Sequence, residues 1–201
     1  GVIEKNKKGN KKILIPEYCP SCSSKIFKDE DEAVLRCDNL FDCESQILGQ
    51  VNHFVSKKAI NIDGFGERNI KLFYDKKIIR NIADIFSISL NKKEILKLEG
   101  WGELSYDNLI ISINKSKKTS LEKFIFSLGI RFIGENTSNL LAKEFADIKN
   151  LIANSNNYDI LSNIDGLGPK AIDSIIKYFS NKKKLKIINH LINHFEIKKF
   201  K

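Results

Sequence analysis

The side chains with the clearest chemistry in this sequence are four cysteine thiols near the N-terminus. Cys19 and Cys22 form a C-x-x-C pair, and Cys37 and Cys43 follow after fourteen and five intervening residues. Two pairs of thiols separated by a loop suit one tetrahedral zinc ion. Disulfides are the alternative, but they are typical of secreted chains, and nothing here suggests secretion. Since four thiolates leave no position for a catalytic water, the spacing predicts a structural zinc finger.

A second informative feature is a glycine hairpin that occurs four times. Residues 61–66 read Asn-Ile-Asp-Gly-Phe-Gly and return as Asn-Ile-Asp-Gly-Leu-Gly at residues 163–168. Looser versions lie at 100–102 and 129–134, and the last glycines of consecutive copies are 36, 32 and 34 residues apart. A period of this size marks a repeated supersecondary unit, which we predict to be helix, tight hairpin, helix.

Each hairpin has the chemistry to bind a phosphate. Glycine permits positive φ and lets a ligand approach the backbone, and the following helix offers free N–H groups and a favourable dipole. Successive N–H groups in a turn also form anion-binding nests. The alternative is that the glycines only end one helix and turn the chain into the next. A single Gly-x-Gly favours that alternative, but four copies in register favour phosphate binding.

The charge of the chain is concentrated at its ends. There are 34 basic and 25 acidic residues, which give a formal net charge of +9 and suggest a nucleic-acid partner. Residues 1–18 carry +3 and residues 181–201 carry +6, so residues 19–180 sum to zero. Because such terminal runs are usually solvated, we expect phosphate contacts to rely on backbone N–H groups and a few placed cations.

Length and composition suit a mostly helical protein of one or two small domains. The chain has 201 residues, of which 42% are hydrophobic, 29% are charged and only three are prolines. No run approaches the roughly 18 apolar residues of a membrane span. Without a signal peptide, we expect a cytoplasmic protein. The chain begins with Gly1 and has no methionine, which suggests a piece excised from a longer protein.

Apolar periodicity places helices around the hairpins. The stripes are Leu121, Phe124, Ile125 and Leu128; Ala171, Ile172, Ile175, Ile176 and Phe179; and Ile188, Leu191, Ile192 and Phe195. Pro169 suits a first helical position. From residue 47 onward we expect only helices and hairpins, whereas residues 1–18 contain two short strand-like segments. His53 is predicted to pack or cap a helix, since the four cysteines complete the zinc set.

Together these residues resemble the bacterial NAD-dependent DNA ligases, from Pro16 to about Phe195. The motifs that carry the resemblance are Cys19-Pro20-x-Cys22, Arg36-Cys37-x-Asn39 and Cys43-x-x-Gln46 in the finger, His53-Phe54-Val55-Ser56 and Ala59-Ile60-x-Ile62-x-Gly64-x-Gly66 at the first hairpin, and Ser127-Leu128-Gly129-Ile130-Arg131-x-Ile133-Gly134-Glu135 at the third. The last stretch is the most specific. The order of finger and four hairpins is more telling than any single motif.

The resemblance implies a mainly α fold in three parts. Residues 1–18 would be the trailing strands of an otherwise missing OB fold, residues 19–46 the zinc finger, and residues 47–201 a helix-hairpin-helix domain. The four hairpins are expected near 64–66, 100–102, 129–134 and 166–168.

The resemblance also implies an enzyme that seals nicks in duplex DNA during replication and repair. In that family a lysine of a Lys-x-Asp-Gly motif takes AMP from NAD and passes it to the 5′-phosphate at the nick. The motif is absent here, because Asp63-Gly64 and Asp165-Gly166 each follow Asn-Ile. We therefore expect no catalytic residue in this chain and no activity by itself. NAD would act only in the missing catalytic domain, and zinc would be the structural cofactor.

The resulting hypothesis is a monomeric, sequence-independent module of a bacterial ligase that binds the minor-groove phosphates of a nicked duplex, with no membrane partner. The predicted DNA-binding residues are Gly64, Gly66, Arg68, Gly100, Gly102, Gly129, Arg131, Gly134, Gly166, Gly168 and Lys170. Leu104 stands where the family usually has lysine, and Lys57 replaces a usual arginine. We expect Trp101 to pack between helices.

Two alternatives remain at this point. One is a scaffold or protein-interaction module in which the hairpins are only helix joints, which the zero net charge of residues 19–180 favours. The other is a relative from another repair system, because paired hairpins also occur in nucleases and branch-migration proteins. The zinc finger argues against the second alternative.

Overall fold

A computed structural model describes residues 15–28 and 33–200 of the chain. Of the strand remnant predicted at residues 1–18, residues 1–14 lie outside the described residues, as does the acidic run at 29–32. The chain divides into two compact units, one ending at Gln46 and the other beginning at Ile47.

The first unit is built around its cysteines. Strands β1 (Ile26–Lys28) and β2 (Leu35–Cys37) pair antiparallel, with Ile26 opposite Cys37. The buried apolar cluster consists of Cys19, Cys37 and Cys43, against which Cys22 and Ile26 pack. A cluster this small buries too little apolar surface to stabilise a fold without a further constraint.

Helices dominate the second unit, which confirms the predicted mainly α fold. The helices of the chain are α1 (Glu44–Val55), α2 (Glu67–Asp75), a 3₁₀ helix (Asp84–Asn91), α3 (Lys92–Ile95), α4 (Glu103–Ser116), α5 (Leu121–Ser127), α6 (Glu135–Phe145), α7 (Ile148–Asn154), α8 (Tyr158–Ser162), α9 (Pro169–Phe179) and α10 (Lys182–Ile192). Among the described residues, no helix is long and apolar enough to cross a membrane.

The predicted apolar stripes form the core of this unit. Leu121, Phe124, Ile125 and Leu128 are fully buried at α5, and Ile175 is fully buried on α9. Aromatic rings join distant elements, as where Phe195 lies 5.3 Å from Phe124 and 4.9 Å from Phe86. The core is therefore continuous along the chain from α1 to α10.

The expectation of only helices after residue 47 is wrong in one place. Strand β3 (Lys118–Ser120) pairs in parallel with strand β4 (Glu196–Lys198), with Thr119 opposite Ile197. Three-residue strands are too short to produce a readable alternation, and these two are far apart in the chain. Their pairing could not be predicted from local pattern.

The closing helix predicted from the stripe of Ile188, Leu191 and their neighbours is present, whereas the expectation that the basic residues of this segment form only a solvated end is wrong. Residues 182–192 form α10, which the Asn181 side chain caps by accepting from the N–H groups of Lys183 and Lys184. Ile188 and Leu191 on this helix are fully buried. The lysines form the polar face of a helix whose apolar face belongs to the core.

Candidate functional site

The four cysteine sulfurs lie close enough together to share one metal ion. All four are within 4.8 Å of one another. The Sγ atoms of Cys19 and Cys43 are 3.9 Å apart, and those of Cys22 and Cys37 are 3.5 Å apart. With Zn–S bonds of about 2.3 Å, a tetrahedral ion needs sulfurs about 3.8 Å apart. The residues present therefore fit zinc.

Short turns hold these thiols in place. The carbonyl of Cys19 accepts from the N–H of Ser23, and the N–H of Cys19 donates to the carbonyl of Ser24. Cys43 donates its N–H to the carbonyl of Asn39, whose side chain donates to Oγ of Ser24. These bonds connect the two cysteine loops and keep their sulfurs together.

The electrostatics of the cluster also favour a cation. Hydrogen bonds with Ser24 lower the pKa of the Cys22 thiol to about 6. Although a backbone hydrogen bond from Asn39 lowers the pKa of Cys37, burial and the Cys22 thiol raise it to about 12. The neighbouring thiols thus favour the thiolate at Cys22 and the neutral thiol at Cys37, and a divalent ion would stabilise the thiolate form of all four.

In the second unit, one backbone pattern recurs at every hairpin. It runs apolar residue, polar residue, left-handed residue, apolar residue, glycine. The four copies are residues 62–66, 98–102, 130–134 and 164–168. The left-handed positions are Gly64 (φ 78°), Gly100 (φ 81°), Phe132 (φ 62°) and Gly166 (φ 84°). The apolar side chains point into the core, so the hairpin backbone is anchored from inside.

The third hairpin is built differently from the prediction. Its left-handed position is Phe132, whereas Gly129 follows the end of α5 at φ 63°. A Cβ on Gly129 would lie 3.2 Å from Cδ2 of His53. Because the prediction used glycine to locate the left-handed position, it did not identify Phe132 as that residue. The signal was present, because Phe132 precedes Gly134 by the same two residues that separate the glycines elsewhere.

His53 has the packing role predicted for it. Its Nε2 donates to the carbonyl of Phe126 at 2.7 Å, which satisfies a carbonyl in the last turn of α5. Its ring also meets the Phe126 ring edge-on, with centroids 4.8 Å apart.

The last glycine of each hairpin is the N-cap of the next helix. Gly66, Gly102, Gly134 and Gly168 cap α2, α4, α6 and α9, all with negative φ. No atom of the described residues lies within 4 Å of a Cβ added at any of these four positions. Neither backbone conformation nor internal packing therefore requires glycine there. The other glycines named as DNA-binding residues, Gly64, Gly100, Gly129 and Gly166, are also exposed but have positive φ.

These four helix N-termini differ from three others in the unit, although α3 and α5 also lack a side-chain cap. No side chain of the described residues caps α2, α4, α6 or α9. By contrast, the side chains of Asp147, Asn157 and Asn181 accept N–H groups at the starts of α7, α8 and α10. The first-turn N–H groups after the hairpins thus lack side-chain acceptors within the described chain, and such groups suit an external anion.

The predicted cationic residues occupy unequal positions. Arg68 and Lys170 are exposed second residues of α2 and α9. Leu104 takes that position in α4 and is 76% exposed, while Arg131 is half-buried with its guanidinium 4.6 Å from the Phe132 ring. Trp101 is buried against Phe73, with ring centroids 4.9 Å apart, as expected.

Comparison with known proteins identifies both units. Residues 18–44 match the NAD-dependent DNA ligase C4 zinc finger domain, and residues 123–188 match the helix-hairpin-helix motif family. The chain is 43% identical over 205 residues to the DNA ligase of Pelagibacter ubique (strain HTCC1062), which covers 98% of this chain and 30% of that relative. It is 41% identical over 194 residues to the DNA ligase of Ehrlichia chaffeensis (strain ATCC CRL-10679 / Arkansas), which covers 92% and 29%.

The chain is thus similar over nearly its whole length to a segment of DNA ligases, and in its first unit to the zinc finger of the NAD-dependent ones. The resemblance predicted from its motifs is thereby confirmed. The chain spans about 30% of the length of the curated ligases it matches. The helix-hairpin-helix match covers the third and fourth hairpins, and the first and second share the same backbone pattern outside residues 123–188.

Proposed function

We propose that residues 47–200 bind the backbone phosphates of duplex DNA, without sequence preference and from the minor-groove side. This would be the non-catalytic DNA-binding part of an NAD-dependent ligase that seals nicks in replication and repair. The observation that carries the proposal is the set of four N-cap glycines with open space beside them. A residue that neither conformation nor packing requires, yet recurs four times, leaves room for an approaching ligand.

The phosphates would be held by backbone N–H groups at the hairpins. Such groups, aligned with a helix dipole, bind anionic oxygens and contact DNA without reading bases. Arg68, Arg131 and Lys170 add proposed cationic contacts. Because Glu67, Glu103 and Glu135 begin α2, α4 and α6 whereas Pro169 begins α9, we expect the fourth hairpin to contribute most.

In the first unit, we propose that Cys19, Cys22, Cys37 and Cys43 hold one zinc ion. With four thiolates the ion has no open position, so its role is structural. NAD would be used by another part of the whole ligase, because this chain lacks the Lys-x-Asp-Gly motif. A zinc-loaded chain mixed with NAD should therefore form no covalent adduct with AMP, as intact mass spectrometry would show.

The test of DNA binding replaces the open glycines by serine. Gly66→Ser and Gly168→Ser each introduce a hydroxyl oxygen. This oxygen would accept hydrogen bonds from the N–H groups that a phosphate would otherwise bind. Serine is a good N-cap, so the midpoint temperature of thermal unfolding should be unchanged or slightly raised. We expect affinity for a labelled duplex, measured by anisotropy, to fall equally across sequences for each change. The fall should be about tenfold for Gly168→Ser, as for the loss of a charged hydrogen bond, and smaller for Gly66→Ser.

Gly49→Ser is the matched control. Gly49 is an exposed glycine on α1, and no atom of the described residues lies within 4 Å of its added Cβ. It belongs to no hairpin, so its replacement should leave affinity unchanged. If the hairpin variants bind as tightly as the parent chain, the hairpins are only helix joints, and the scaffold hypothesis replaces this one.

The salt dependence of DNA affinity measures how many phosphates are contacted by cationic side chains. Each phosphate neutralised contributes about −0.9 to the slope of log K against log salt. Arg68→Ala and Lys170→Ala should each reduce the slope by about that amount, while Lys186→Ala on α10 should not change it. Light scattering on the same samples should report a monomer, which would bind a nicked duplex with one chain per nick.

A further inference from the structure

We propose that Phe132 is a wedge that enters the minor groove at a broken step of the duplex, so that this chain binds nicked DNA more tightly than intact DNA. The proposal rests on the proposed DNA-binding function and concerns one side chain of the third hairpin. Its basis is the difference between this hairpin and the other three.

The backbone at Phe132 is strained. The residue adopts φ 62° at the position where the other hairpins have glycine. A left-handed conformation is unfavourable for a bulky side chain, and glycine in its place would relieve the strain. Residues held in such conformations cluster at ligand-binding sites.

Burial does not compensate for this strain. The Phe132 side chain is 45% exposed. Within residues 15–28 and 33–200, it is the one large apolar side chain that combines high exposure with positive φ. Leu90 and Ile111 are also exposed, but their φ values are negative, and single exposed apolar residues on ordinary backbone need no explanation. Phe132 differs because glycine, which the other hairpins have at this position, would adopt the same backbone conformation without strain.

The ring is supported from one side. The guanidinium carbon of Arg131 lies 4.6 Å from the centroid of the Phe132 ring, and the Arg131 side chain is half-buried. In the other hairpins, Asp63, Glu99 and Asp165 occupy the position of Arg131. A cation against an aromatic ring restricts the ring's motion and adds positive charge next to it. The third hairpin therefore presents a fixed aromatic edge beside the N–H groups of α6.

The chemistry of that edge suits a base step. Phenylalanine side chains inserted from the minor groove separate stacked bases and kink the duplex. The unstacking cost depends on how deformable the step is. A nick removes one covalent link across the step, which lowers the cost of opening it. The same wedge therefore binds a nicked duplex better than an intact one.

The experiment compares the zinc-loaded 201-residue chain with Phe132→Gly on a nicked and an intact duplex of one sequence. The glycine variant relieves strain, so it should fold at least as stably. We expect the preference for the nicked duplex to fall about tenfold, as for one lost aromatic stack, while affinity for the intact duplex and the salt slope stay unchanged. Phe132→Tyr should keep the preference.

Two further measurements separate this role from a structural one. A 2-aminopurine base placed at the nick should brighten on binding the parent chain and the tyrosine variant, but not the glycine variant. Tyr158→Ala removes an aromatic ring of similar exposure, 49%, and should change neither signal.

The outcomes distinguish this inference from the function on which it rests. If the chain binds both duplexes and Phe132→Gly leaves their ratio unchanged, the wedge is refuted while phosphate binding stands. A glycine variant that weakens both duplexes equally also refutes the wedge. A parent chain that binds neither duplex refutes the proposed function itself.

Discussion

In the first unit the buried apolar cluster is three cysteines with Cys22 and Ile26 against them, whereas the second unit buries a core that joins its helices from α1 to α10. The first can be stable only through what its thiols bind, because side chains such as Phe27 and Val34 remain exposed. The second needs no ion to hold its hairpins in place. One chain thus combines two sources of stability, and each can be removed separately.

The largest effect should come from removing the metal. Zinc binding contributes about 10–16 kcal/mol in small finger peptides, so a strong chelator should unfold the first unit completely. Hydrogen exchange read by mass spectrometry should show residues 15–43 losing protection while peptides from α2 to α10 keep theirs. Loss of protection throughout both units would contradict the conclusion that the two units have separate sources of stability.

The next effect belongs to the core of the second unit. Phe73 is fully buried between Phe65 and Trp101, with ring centroids 5.5 and 4.9 Å away. Phe73→Ala should lower the free energy of unfolding by about 3–5 kcal/mol, as measured in urea. Phe27→Ala, at a 51% exposed position in the finger, should change it by less than about 0.5 kcal/mol. Zinc content should be unaffected by either change.

A smaller effect separates the two glycines of one hairpin. Gly166 has φ 84°, and a Cβ there would lie 3.2 Å from Cδ1 of Leu140, so Gly166→Ala should cost about 1–2 kcal/mol. Gly168 has negative φ and open space, so Gly168→Ala should cost less, about 0.5 kcal/mol, because alanine is a poorer N-cap than glycine. Equal losses at both positions would show that the second glycine is structural, which weakens the argument for a phosphate at the hairpin.

The smallest effect concerns a helix cap in the second unit. A backbone hydrogen bond from Asn150 lowers the pKa of Asp147 below its ordinary 3.8, and Lys199 acts in the same direction. Because the folded-state pKa is depressed, the stabilisation is fully present above 3.8 and is lost as pH falls through the folded value. Asp147→Ala should cost about 1 kcal/mol at neutral pH. Urea titrations should show this difference shrinking in acid, whereas Asp147→Asn keeps the cap without that pH dependence.

Much of the candidate site could be predicted because its signals are local. The C-x-x-C pair and two later cysteines indicated the metal cluster, and glycines at a regular period located the hairpins. The four-residue spacing of Leu121, Ile125 and their neighbours predicted a buried helix face. Such patterns depend on covalent distance and helical geometry, and both are properties of sequence.

Other features were decided only by tertiary structure. The apolar stripe of Ile188 and Leu191 predicted a closing helix, but whether that helix packs or stays solvated depends on a core built from residues far earlier in the chain. The pairing of β3 with β4 depends on contacts between distant segments, which no local pattern encodes.

The sequence by itself therefore determined the chemistry available to this protein: four thiols for a metal, and glycine-capped helix N-termini for anions. Tertiary structure decided which helix N-termini are capped by side chains of the described chain and which remain accessible to a ligand. It placed Phe132 in a left-handed conformation that local preference disfavours, because Ile130 and Ile133 on either side are buried in the core. Anchoring of those neighbours fixes the backbone between them, so the exposed ring follows from packing rather than from its own propensity.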